Sequence, residues 1–124
     1  DVAGRYISVA HGGDSVAVVV ADEPVGVDIE SVNRNFNRAK ERYMSYRELA
    51  LSLDENWACY AWCAKEAIYK LCGRRGVELR EELLLEEFDT NNMIVYGRIV
   101  NIASAMVKLS HHDGDVVVAV ATFR

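Results

Sequence analysis

One stretch of this chain, residues 57–71, has the period of a helix, whereas the segments around it alternate like strands. Its apolar residues recur at intervals of three and four, so they share one helical face. These residues are Trp57, Tyr60, Ala61, Ala64, Ile68 and Leu71. Glu66 falls opposite that face, Lys70 follows one turn later, and Lys65 lies on the flank. The spacing predicts a helix buried on one side, whose open side carries either an ordinary ion pair or a functional charge cluster.

Strands are predicted on both sides of this helix. β-Branched runs separated by turn residues predict three upstream strands, at residues 6–9, 15–21 and 25–30. The run 15–21 is typical of a buried strand. Three further strands are predicted downstream, at residues 93–100, 104–110 and 116–123, with an Asp-Gly turn between the last two.

A second helix is predicted before the first, capped by Asn33 or Asn35 and running to about Leu53. Its inner stripe would be Phe36, Ala39, Tyr43, Tyr46 and Ala50. Asp54 is the predicted cap of the 57–71 helix, which should end near Gly73, and residues 79–88 are predicted as a loop or short helix. The expected fold class is α+β, an antiparallel sheet with two consecutive helices packed on it.

Length and composition predict a single domain over residues 1–124. Hydrophobic residues make up 51% and charged residues 27%, which is typical of a soluble globular domain. No apolar run approaches the roughly 20 residues of a membrane helix, and no signal peptide is visible. Because the chain starts at Asp1 without a methionine, an upstream segment could precede it.

Charge and cysteine content narrow the function classes. The net charge of -5 argues against general nucleic-acid binding, which needs a basic surface. Cys59, Cys63 and Cys72 form an odd set without the partners of a zinc site. They are interpreted as reduced packing residues, which predicts a cytoplasmic protein.

Two carboxylates share one face of the third predicted strand. Asp28 and Glu30 alternate with Val27 and Ile29, so they would lie roughly 7 Å apart on one side. Such a pair favours a cation, and Mg²⁺ binds one or two carboxylates while leaving positions for phosphate oxygens. Glu66 on a facing helix is the candidate third ligand. Lys65 or Lys70 would then lie close enough to hold a phosphate.

Four motifs occur in an order that resembles the 4'-phosphopantetheinyl transferase superfamily, most closely the second half of the surfactin-synthetase-activating type. The two strongest are GVDIE at residues 26–30 and WCAKEAIYK at residues 62–70. RYMSYRE at residues 42–48 and SVAH at residues 8–11 match more loosely. The resemblance covers more than half of the chain.

The resemblance implies transfer of 4'-phosphopantetheine from coenzyme A to a serine of an apo carrier protein, a Mg²⁺-dependent holo-acyl-carrier-protein synthase activity. By the same resemblance Asp28, Glu30 and Glu66 would hold the metal. Glu66 or a metal-bound water would deprotonate the serine, Lys70 and Lys65 would neutralise phosphate charge, and His11 would contact a coenzyme A phosphate. The carrier could serve fatty acid, polyketide, peptide or lysine metabolism.

The predicted partners follow from length and charge. Relatives have two similar halves around coenzyme A, so this chain would assemble as a homo-oligomer or be part of a longer protein. Arg34, Arg38 and Arg42 recur every four residues and would form a ridge that docks an acidic carrier, unless they are a solvated helix face. The alternatives are a non-catalytic coenzyme A or nucleotide-binding module of the same fold, or an interaction domain that uses only the ridge.

Overall fold

The computed structural model describes residues 5–124, which form two antiparallel sheets and one long helix. Residues 1–4 of the predicted domain lie outside the described part. The elements are β1 (Tyr6–Gly12), β2 (Ser15–Ala21), β3 (Val25–Ser31), a 3₁₀ turn (Lys40–Arg42), α1 (Tyr46–Leu49), α2 (Trp57–Cys72), β4 (Leu83–Asp89), β5 (Ile94–Ile99), β6 (Ala103–His112) and β7 (Val116–Phe123).

Strands β3 to β7 form one sheet in the order β3-β7-β6-β5-β4, with every neighbouring pair antiparallel. α2 packs across one face of this sheet, and its apolar residues are buried there as the helical period predicts. Strands β1 and β2 form a separate hairpin whose inner side rests on β3, with Ala10 packed near Val27 and Ile29. The α+β prediction is therefore confirmed.

The first predicted helix is much shorter in the structure. Only the 3₁₀ turn and the four-residue α1 are helical between β3 and α2. Ser45 starts α1 with a capping box, in which its hydroxyl accepts from the Glu48 amide while the Glu48 carboxylate accepts from the Ser45 amide. This new start shifts the helical phase, so Tyr46 is 84% exposed although Phe36 and Tyr43 are buried as predicted.

The start of α2 and the segment after it also differ from expectation. The helix begins two residues later than an Asp54 cap would require, with Asn56 at its N-cap. It ends at Gly73 as predicted, where the backbone is left-handed. Residues 79–88, predicted as a loop or short helix, instead lead into strand β4, which begins at Leu83. A β-bulge between Leu85 and Glu87 shifts the side-chain alternation within β4, which explains why the sequence pattern there is irregular.

The outer face of the β1–β2 hairpin is apolar and exposed. Three cross-strand pairs lie on this face: Ile7 with Val20, Val9 with Val18, and His11 with Val16. The strand predicted to be buried is therefore open on one side, with Val16, Val18 and Val20 at least half exposed. Within residues 5–124, no helix is both long and apolar enough to cross a bilayer.

Candidate functional site

The candidate site lies where β3 passes directly beneath α2. A β-carbon at Gly26 would collide with the backbone carbonyl of Ala67 and lie 2.5 Å from the amide of Leu71, so only glycine permits this approach. Strand alternation then directs Asp28 and Glu30 toward the helix and Val27 and Ile29 toward the hairpin. The close crossing therefore places two carboxylates against α2.

Asp28 is a buried carboxylate beneath α2. Its Oδ2 has no hydrogen-bond partner within residues 5–124. The pKa of Asp28 is raised to about 7, chiefly by burial and then by the negative charges of Glu30 and Glu66, while Lys70 opposes the shift. A buried carboxylate oxygen without a partner is costly, so this position favours a bound cation or a proton.

Lys70 connects the hairpin to this carboxylate. Its Nζ lies 3.8 Å from Asp28 Oδ1 and donates to the Val9 carbonyl at 3.3 Å. About a third of the side chain is exposed, so the ammonium group faces both the site and solvent. Lys70 is thus placed to hold an anionic group beside Asp28.

Glu66 and Glu30 differ in how they are engaged. Burial raises the pKa of the half-buried Glu66, with Lys70 opposing the rise and Glu30 adding to it. Glu30 uses both of its oxygens, because Oε1 accepts from Arg34 Nη1 at 2.7 Å and Oε2 accepts from Trp62 Nε1 at 2.9 Å. Glu30 is therefore held by other side chains, whereas Asp28 has a free oxygen.

The donor set matches a hard divalent cation in kind. Three carboxylates influence each other electrostatically, and one of them has an unsatisfied buried oxygen. As the side chains stand, no three His, Cys, Asp or Glu residues in the described part of the chain converge closely enough to hold a metal ion. We conclude that the chemistry of the residues fits a divalent cation, and that the Glu30 side chain must rearrange to become a ligand.

The prediction that Lys65 holds a phosphate is inconsistent with its position. Its side chain is fully buried, and Nζ contacts Glu48 Oε2 at 2.8 Å and the Leu79 carbonyl at 2.7 Å. Burial lowers the pKa of Lys65, and the hydrogen bond to Glu48 opposes that shift. α2 is covered on its Lys65 side by residues 79–85, so this lysine is part of the core and does not face the site.

Glu48 is the partner that sequence reasoning did not assign to Lys65. Besides the ion pair, its carboxylate accepts from the amides of Ser45 and Leu85, and its backbone carbonyl accepts from Trp57 Nε1. Glu48 is therefore buried and fully engaged away from Asp28 and Glu66. The available signal was the S-x-x-E capping box at Ser45, which ties Glu48 to α1.

His11 lies apart from the other candidate residues. It sits near the end of β1 and belongs to the exposed outer face of the hairpin. Among residues 5–124 it forms no ion pair or hydrogen bond with Asp28, Glu66 or Lys70. The structure therefore unites Asp28, Glu30, Glu66 and Lys70 and leaves His11 on a neighbouring surface.

The predicted arginine ridge is not a ridge, because residues 33–45 do not form a continuous helix. Arg34 and Arg42 instead line one cleft of about 300 Å³ together with Phe36, Tyr43 and Trp62. Arg38 does not line that cleft. The basic segment thus presents two arginines around an aromatic cleft that adjoins Glu30 through Trp62.

Fold and site together define a small α+β domain whose carboxylates and lysine suit a divalent cation and a phosphate. Known proteins make the class specific. The family model described as the 4'-phosphopantetheinyl transferase superfamily matches residues 24–121. The 4'-phosphopantetheinyl transferase psf-1 of Bacillus pumilus is 35% identical over 75 residues, which cover 56% of this chain and 32% of that relative.

The chain belongs to the 4'-phosphopantetheinyl transferase superfamily, because the family model covers most of its length. The resemblance predicted from the GVDIE and WCAKEAIYK motifs is confirmed. The chain spans about a third of the length of the curated relative it matches.

Proposed function

We propose that this chain transfers the 4'-phosphopantetheine group of coenzyme A to a serine of an apo acyl or peptidyl carrier protein, with Mg²⁺ required. Family membership supports the reaction class. The observation that carries the proposal is the buried, unpartnered Oδ2 of Asp28, a carboxylate whose other oxygen lies 3.8 Å from Lys70 Nζ.

In this proposal Asp28, Glu66 and Glu30 hold the cation. When bound, Mg²⁺ supplies positive charge that offsets the negative charge of the pyrophosphate. Lys70 binds a phosphate oxygen from the solvent side of Asp28, and His11 adds a contact to a more distant phosphate. The carboxylates and Lys70 thus bind and orient the pyrophosphate for in-line attack.

The reaction itself needs little covalent chemistry from the chain. The serine oxygen attacks the phosphorus that carries the pantetheine arm, and the bond to the departing adenosine 3',5'-bisphosphate breaks. Glu66 takes the serine proton. Glu66 is half-buried on α2 one turn before Lys70, so the base would stand beside the group that binds the phosphate.

The carrier would dock at the basic segment. Arg34 and Arg42 border an aromatic cleft beside Glu30, and they would attract an acidic partner in a chain that is otherwise acidic. Residues 1–124 would act as one domain. A second copy of this chain, or a further segment of a longer protein, would complete the coenzyme A cleft.

A non-catalytic coenzyme A or nucleotide-binding module is the second candidate. One observation favours it: both Glu30 oxygens are already engaged, by Arg34 and by Trp62. In that case Lys70 and the hairpin would bind phosphate without transfer.

Intact mass of an apo acyl carrier protein, incubated with this chain, coenzyme A and Mg²⁺, tests the transferase. We expect a gain of one phosphopantetheine, and we expect Glu66→Gln to lower the rate by roughly 100-fold or more, the usual worth of a general base. Chelation of Mg²⁺ should have a comparable effect.

Glu55→Gln is the matched control, since Glu55 is an exposed glutamate before α2, and it should keep the wild-type rate. If several carriers gain no mass while coenzyme A still binds, the chain is a binding module.

A further inference from the structure

We propose that Arg34 is an internal counter-ion of Glu30 that competes with the divalent cation, so that Arg34 sets the cation affinity of the site. This inference rests on the proposed function, because it takes Glu30 as one of the ligands. It concerns a positioning residue that acts through Glu30 and does not itself touch the reacting atoms.

The ion pair is asymmetric. Arg34 Nη1 lies 2.7 Å from Glu30 Oε1, the Glu30 side chain is only 12% exposed, and the Arg34 side chain is 64% exposed. Glu30 therefore cannot move into water to lose its partner, whereas Arg34 can move away at small cost. The two residues are four apart, one in β3 and one in the turn that follows it, so the pair forms without another element.

The other Glu30 oxygen is held differently. Trp62 Nε1 donates to Oε2 at 2.9 Å from a partly buried position on α2. This neutral hydrogen bond can persist when a cation binds, since each carboxylate oxygen has a second lone pair. A cation and a guanidinium group, by contrast, repel each other at the same carboxylate. Arg34 is thus the group whose departure frees Glu30.

Arg34 also contacts an aromatic ring, which can hold its guanidinium group without Glu30. Its guanidinium lies 5.1 Å from the centroid of the Phe36 ring, and both residues line the aromatic cleft with Arg42. Arginine is stabilised over an aromatic face even without a carboxylate. An anionic partner group entering the cleft would draw Arg34 from Glu30, and docking and cation binding would then strengthen each other.

Mn²⁺ binding to the full chain, measured by electron paramagnetic resonance and calorimetry, tests the competition directly. Arg34→Gln removes the counter-ion, and we expect it to tighten Mn²⁺ binding by roughly three- to tenfold. Arg38→Gln makes the same charge change in the same segment, and Arg38 forms no ion pair within residues 5–124, so it should shift the affinity much less. Glu30→Gln in the Arg34→Gln background should abolish the gain.

A decrease in Mn²⁺ affinity would show that Arg34 has a purely structural role. If Arg34 merely fixes the Glu30 side chain for the metal, Arg34→Gln will weaken Mn²⁺ binding, and an equal gain in both arginine variants would reduce the effect to net charge. Either result overturns the inference while the proposed function stands, provided that Glu66→Gln weakens Mn²⁺ binding. If the folded wild-type chain binds no Mn²⁺, the proposed cation site and this inference both fail.

Discussion

Asp28 should make the stability of the metal-free chain depend on pH. The folded-state pKa of about 7 is well above the usual value for aspartate, so the folded chain binds more protons than the unfolded chain between about pH 4 and 7. Stability therefore falls as pH rises through that window. In Asp28→Asn the side chain cannot ionise, and we expect this variant to exceed wild type by on the order of 2–4 kcal/mol at pH 8.

Urea unfolding in a chelator at pH 5, 6.5 and 8 measures the effect, and the advantage of Asp28→Asn should shrink toward pH 5. Asp14→Asn, at an exposed turn, is the control and should show no such trend. A difference that is equal at all three pH values would show that Asp28 does not ionise in this window and would remove the electrostatic argument.

At the residue scale the sequence could predict the kind of group but not always its surroundings. Asp28, Glu30, Glu66 and Lys70 were found because strand alternation and helix spacing decide which way a side chain points. Lys65 was predicted to face the site but is buried, because helical spacing shows where a side chain points and does not show which residues cover it. The cover comes from residues 79–85, which lie outside α2 and lead into the β-bulge between Leu85 and Glu87.

Gly26 decides how closely α2 approaches β3. We expect Gly26→Ala to destabilise the fold by roughly 2–4 kcal/mol, because the new methyl group meets backbone atoms that cannot move aside. To make room for the methyl group, β3 and α2 would have to separate, which would move Asp28 away from α2 and weaken cation binding. Denaturant unfolding with Mn²⁺ titration measures both effects.

Gly13→Ala provides a matched substitution. Gly13 has φ +57 in the β1–β2 turn and no atom near its would-be β-carbon, so it should cost about 1 kcal/mol from backbone strain and leave Mn²⁺ affinity unchanged. Equal costs at the two positions would mean that the contact between β3 and α2 is not tight.

Elements with a clean period were predictable, and those with a local interruption were not. α2, β3 and the β6–β7 hairpin follow their patterns, and Asp113 and Gly114 both have positive φ as the hairpin turn requires. The prediction of the first helix was wrong because it treated residues 36–50 as one helix, whereas a new helix starts at the Ser45 cap. Strand β4 was not predicted because one extra residue in its bulge shifts the side-chain alternation of all the residues that follow.

On the scale of the whole molecule, the chain combines a closed core with an exposed apolar surface. The core lies between α2 and the five-stranded sheet, while the outer hairpin face exposes paired aliphatic side chains next to His11. Patches of this kind mark places where another surface packs. Sequence alone predicted the strands of this hairpin but took Ser15–Ala21 as buried, because a β-branched run does not reveal whether one face or both are covered.

Because Lys65 is buried in its ion pair with Glu48, the rate at which its amine is acylated reports how often the fold opens. The chain has four lysines, Lys40, Lys65, Lys70 and Lys108, and an acylating reagent can reach Lys65 only when α2 separates from residues 79–85. We expect Lys40, Lys70 and Lys108 to be acylated promptly in native buffer. The acylation rate of Lys65 should be lower by about 100-fold or more, because Lys65 reacts only in the open state. Peptide mass spectrometry over time follows each lysine separately, and simultaneous acylation of all four would show that the pair is open in solution.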